Sequence, residues 1–134
     1  MNQIQQISTK AIIRKEGKFL LIKDPKGLWE LPGGRIYFGE TPQQTLQREI
    51  KEELGLTVSD ISAIIDVQTF CTSKIDAEKQ YLLLFFECGV DNYEIVLDNE
   101  SIDFEWVDLS NINEYPMRDV YINALLKLKD NSVK

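Results

Sequence analysis

The longest unbroken apolar run in this chain is Tyr81 to Phe86, YLLLFF, and it constrains the fold more than any other stretch. It is far shorter than the about 20 apolar residues of a membrane-spanning helix. A strand points alternate residues to opposite faces, so this run is apolar on both and belongs at the centre of a covered sheet. Other strands are expected at 10–14 and 19–23, joined as a hairpin at Glu16-Gly17. A short one is expected at 28–31, ended by Pro32-Gly33-Gly34, longer ones at 61–67 and 81–87, and another at 104–107. Pro116 opens a last helix whose inner face carries Val120, Ala124, Leu125 and Leu128. The expectation is an α/β fold, a mixed sheet with helices packed on it, formed by residues 1–134 as one domain.

The best-marked helix begins at Thr41-Pro42-Gln43-Gln44: a threonine cap, proline at the first helical position and glutamine at the third. Gly55 ends it. At about 100° per residue, Leu46, Ile50 and Leu54 form an apolar stripe of about 80°. Glu53, Glu49 and Glu52 follow beside it within about a further 100°. Like charges three and four apart repel, more so when partly desolvated, and Arg48 offsets part of this. One reading is a solvated helical face; the other is a hard divalent cation, Mg²⁺ or Mn²⁺, held by oxygen ligands alone.

Composition removes several chemistries. The chain has no histidine, which excludes a Ser-His-Asp triad, a Cys-His pair and His-ligated zinc. Its net charge of −7 with no basic run argues against binding a long nucleic acid. No membrane segment or export signal is read, since MNQIQQIST has no basic-then-apolar pattern. Cys71 and Cys88 match no metal or redox spacing, and reduced thiols in a cytoplasm are expected.

Gly34, Glu40 and then REIKEELGL, Arg48 to Leu56, match every position of the pattern G-x5-E-x7-R-E-U-x-E-E-x-G-U, with U aliphatic. Average composition gives such a match a chance on the order of 10⁻⁹ per starting position. On this box, and on the lead-in Leu28-Trp29-Glu30-Leu31-Pro32-Gly33-Gly34, the chain resembles the Nudix hydrolases of the small MutT-like kind. The resemblance implies an α/β/α sandwich and hydrolysis of a nucleoside diphosphate linked to a further group. It implies that Glu49, Glu52 and Glu53 hold Mg²⁺ or Mn²⁺, that the Gly33 carbonyl adds a ligand, that Arg48 orients the glutamates and that Glu40 braces the loop. Glu53 is the first candidate for the general base. Asp98-Asn99-Glu100 precedes Phe104-Glu105-Trp106, which implies Glu100 as a fourth ligand or as the base. Where many members have a glutamate in the box loop, this chain has Tyr37.

Substrate contacts are expected from Arg35, Tyr37, Phe38 and Phe70, with Arg14 and Lys23 as further phosphate candidates. The expected partner is a small nucleotide, most simply a nucleoside or deoxynucleoside triphosphate; a homodimer is compatible with the chain. An ADP-sugar, dinucleoside polyphosphate or capped RNA substrate remains open, as does a catalytically idle, nucleotide-binding regulatory module.

Overall fold

The computed structural model describes residues 2–74 and 77–132. Among these residues, eight strands and two α-helices run in the order β1 (Asn2–Ile12), β2 (Arg14–Lys15), β3 (Lys18–Lys23), β4 (Trp29–Glu30), β5 (Gly33–Arg35), α1 (Pro42–Leu54), β6 (Val58–Lys74), β7 (Ala77–Val90), β8 (Asp103–Val107) and α2 (Asp119–Ser132). One sheet has the order β5-β1-β7-β6, with β1 and β7 parallel and the other pairs antiparallel. In the other, β3 pairs with β2 and β4 and also with β8.

Strand alternation divides the core in two. Ile12, Phe19, Leu21, Leu83 and Phe85 face α2, where they meet Val120, Tyr121, Ala124, Leu125 and Leu128. Their neighbours Ala11, Ile13, Leu20, Ile22 and Phe86 face α1 and meet Leu46, Ile50 and Leu54. The layers are therefore helix, sheet, helix, and β7 is central, as its two-sided apolar run requires.

Several strands differ from the sequence expectation. β1 begins at Asn2, because its polar first half pairs along β7 from Asn2↔Ala77 onward; backbone pairing needs no apolar pattern. β6 and β7 are likewise longer than their apolar cores, and register shifts along β6 between Val58 and Asp66 blur its alternation. Gly33 and Gly34 do not simply end a strand. They form β5, opposite Lys10 and Thr9. Gly33 has φ 144, and a Cβ there would stand 2.0 Å from the Thr9 carbonyl oxygen, so only glycine allows β5 this approach.

Candidate functional site

Helix α1 is fixed at both ends. Thr41 accepts from the Gln44 N–H, the Gln44 side chain accepts from the Thr41 N–H, and Gly55 closes the helix with φ 72. The segment 94–98 then lies across its C-terminal end, where the Val96 and Asp98 N–H groups donate to the Leu54 and Glu53 carbonyls. These contacts satisfy helix-end oxygens that would otherwise lack partners.

The glutamates become progressively more exposed around the helix. Glu53 is 7% exposed, whereas the Glu49 and Glu52 side chains are 13% and 57% exposed. Glu53 accepts from the Gly33 N–H at 2.8 Å. Burial pushes its carboxyl up to about 8, against the opposing pull of Lys10 and the Gly33 N–H. Burial also raises the Glu49 carboxyl, although Arg48 Nη1 lies 2.7 Å away and favours the charged form. Gly34 leaves the room Glu49 occupies: a Cβ at 34 would fall 2.5 Å from the carboxyl carbon.

At the other end of the helix, Glu40 accepts from Arg48 Nε at 2.8 Å, Arg48 Nη2 at 2.9 Å, the Tyr37 N–H at 2.9 Å and the Thr45 hydroxyl at 3.0 Å. The Arg48 bonds, then the Tyr37 N–H, pull its carboxyl down to about 2. Arg48 also donates to the Arg35 carbonyl, stacks on Tyr37 at 3.7 Å from the ring centroid and approaches Glu52 at 3.6 Å.

No three acidic or thiol side chains among the described residues already converge as a metal cage. Glu49 and Glu52 instead lean on Arg48, and Glu53 on Gly33. The donor set is nevertheless all oxygen, with its deepest member desolvated, which fits a hard divalent cation. Displacing Arg48 from Glu49 would free carboxylate oxygens without unfolding α1.

Beside Gly34 lies a cleft of about 310 Å³ walled by Arg35, Phe70, Tyr81 and Tyr121, with Lys10 and Glu30 also in its lining. Phe70 and Tyr81 stack at 4.7 Å and 18°, and Arg118 lies 4.3 Å over the Phe70 ring. Lys10 donates to Glu30 at 2.8 Å and to the Leu31 carbonyl at 3.2 Å. Burial disfavours its ammonium, but Tyr121, Glu30 and Glu53 outweigh this and hold the lysine above its ordinary range. A larger groove of about 530 Å³, beside Arg14, Asp60 and Glu87, is lined by no residue of α1.

The structure therefore brings Arg35 and Phe70 into one cleft but leaves Tyr37 and Phe38 out of its lining. Tyr37 covers Arg48, and Phe38 is fully exposed. Phe70 lies within β6 rather than in a loop. Glu100 is exposed in a turn, its N–H donating to Asp98 Oδ1. Arg14 pairs with Glu87, and Lys23 lies 5.5 Å from the Trp29 ring centroid. Lys10, Glu30, Tyr81, Arg118 and Tyr121 are not expected at the site from the sequence. One signal is present there: Lys10 is in phase with core-facing Ile12, a place where a lysine needs a partner.

The NUDIX domain family profile matches residues 5–128. The nucleoside triphosphatase NudI of Escherichia coli O139:H28 is 32% identical over 130 residues, covering 88% of this chain and 92% of that protein. The MutT protein of Methanosarcina mazei Go1 superposes with a TM-score of 0.85 at 25% identity, over 100% of this chain and 99% of its own. A MutT NUDIX hydrolase from Burkholderia pseudomallei gives 0.80 at 22% identity, over 92% and 97% of the two chains. This last likeness concerns the fold.

Proposed function

This chain belongs to the NUDIX domain family of hydrolases, and on that premise we propose that it cleaves a nucleoside or deoxynucleoside triphosphate to the monophosphate and pyrophosphate with Mg²⁺ or Mn²⁺. The observation that carries this reading is the burial gradient of Glu53, Glu49 and Glu52 on α1, next to a cleft that shares Gly34 with them. The name of the Escherichia coli relative, nucleoside triphosphatase, supports the substrate class.

Glu49, Glu52 and Glu53, with the Gly33 carbonyl, would hold the cation. When bound, it supplies charge neutralisation for phosphate oxygens. Arg48, fixed by Glu40, keeps Glu49 and Glu52 on one side of the helix. Phe70 and Tyr81 offer the aromatic surface for a base, and Arg118 must move off the Phe70 ring for a base to stack in its place. Arg35 at the cleft wall is the phosphate contact. The proton of the attacking water goes to a carboxylate, Glu53 or Glu100.

A panel of phosphorylated metabolites with Mg²⁺, scored separately for phosphate and pyrophosphate, tests the proposal. Triphosphates should release pyrophosphate, and excess EDTA should abolish turnover. A preference of about a hundredfold for ADP-ribose or a dinucleoside polyphosphate, read as a ratio of kcat/KM values, would overturn the substrate and leave the metal chemistry standing. Full activity in EDTA would overturn the metal chemistry itself.

A further inference from the structure

Among the described residues, Thr9 Oγ1 is the buried side-chain oxygen with no hydrogen-bond partner. Thr9 is 0% exposed. A hydroxyl sealed from water with nothing to bond is costly, and native interiors rarely leave one.

Strand geometry says where it points. Thr9 and Ala11 share one face of β1, and Ala11 packs in the cluster with Leu46, Ile50 and Leu54 of α1. Thr9 continues that face one step toward β5, where it pairs with Gly34. Directly opposed positions on antiparallel strands share a face, with Cβ atoms about 4.5–5.5 Å apart. At Gly34 the side-chain position is taken by the Glu49 carboxyl group, 2.5 Å from where a Cβ would be. The unpartnered hydroxyl thus borders the space of a carboxylate that Arg48 currently holds.

We propose that Thr9 is a positioning residue of the cation site: its hydroxyl donates to the Glu49 carboxylate once that group leaves Arg48 for the metal. The inference rests on the reading of Glu49 as a metal ligand. It explains the orphan donor as a group whose partner arrives only with the cation. Hydrogen bonds of this kind orient ligand carboxylates, and losing one typically weakens metal affinity by about 10- to 100-fold.

The test is Thr9→Val, which keeps the shape and removes the hydroxyl. Mn²⁺ binding to the substrate-free protein is measured by calorimetry, and melting is measured in EDTA. Thr9→Val should melt no lower than the parent in EDTA, because an unpaired donor leaves an apolar wall. Its Mn²⁺ affinity should fall by about 10-fold or more, and Thr9→Ser should restore most of the loss. In a Glu49→Gln background the same substitution should change Mn²⁺ affinity no further. An affinity for Thr9→Val within about threefold of the parent, well short of the usual loss, overturns the Thr9 assignment alone. An undiminished loss in the Glu49→Gln background also overturns it. A parent that binds no Mn²⁺ overturns the cation reading and the Thr9 assignment together.

Discussion

Glu40 and Glu53 belong to one motif and flank one helix, yet their surroundings push them in opposite directions. Glu40 is wrapped by donors: a guanidinium on both oxygens, a backbone N–H and a hydroxyl. Its carboxyl falls to about 2. Glu53 is buried with a single N–H donor, and its carboxyl rises to about 8. The same side chain is a structural anion at one end of α1 and, without a cation, a carboxyl held towards its neutral form at the other. Burial at Glu53 and satisfied donors at Glu40, not sequence spacing, set the difference.

The largest test removes each charge in turn. Glu53→Gln should lower kcat by about 10²- to 10⁴-fold, the range for a lost acid–base or charge-stabilising group. It should leave the fold intact, because the amide resembles the neutral carboxyl and still accepts from Gly33. Glu40→Gln should do the reverse: it lowers the melting temperature by loosening Arg48 and reduces kcat less. Equal kinetic losses without any change in melting would erase the distinction between the two ends.

Much of this is legible in the chain. The capping box, Gly55 and the stripe of Leu46, Ile50 and Leu54 are local signals, so the residues alone bound α1 correctly. The wheel also orders the glutamates as the burial does, since angular position beside a buried stripe sets depth. The cleft is less legible. Arg118 comes from just before α2, Tyr121 from its first turn, Phe70 from β6 and Lys10 from β1, and only tertiary packing joins them. β5 is hidden because consecutive glycines read as a turn, whereas here they permit close strand approach.

The next effect concerns the segment that closes the buried end. Residues 94–98 bond to the carbonyls of Leu54 and Glu53, and Glu100 follows just beyond in an exposed turn. Glu100→Gln should slow turnover by about 10²-fold if its carboxylate takes the water proton. Single-turnover rates within about threefold of the parent, far below a lost base's usual effect, would return that role to Glu53.

Acidity sharpens the contrast without any substrate. In the metal-free protein, Glu53 has a folded value near 8 against an ordinary 4.5. Its neutral form is favoured by folding, so that stability is full below 4.5 and is lost as pH rises through about 8. Glu40, near 2 when folded, contributes stability above 4.5 that is lost as pH falls through about 2. Denaturant titrations in EDTA should therefore show a decline between about pH 4.5 and 8 that Glu53→Gln flattens. Its size is a few kcal/mol, since each pH unit between the unfolded and folded values is worth about 1.4 kcal/mol. A decline over that window left unchanged in Glu53→Gln would place its cause in other groups.

The smallest effect separates the two aromatic candidates. Phe70 lies in the cleft on Tyr81, whereas Tyr37 lies on Arg48 outside the lining. Phe70→Ala should raise KM for a triphosphate by roughly 5-fold or more, since stacking a base is worth about 1–3 kcal/mol. Tyr37→Ala should leave KM nearly unchanged and cost about 0.5–1 kcal/mol of stability, the usual value of an exposed cation–π contact. The loss should appear through the Arg48 end of the helix, so it should shrink in a Glu40→Gln background where that end is already loosened. A larger KM increase for Tyr37→Ala than for Phe70→Ala would move the base out of the cleft and onto the loop at 36–41.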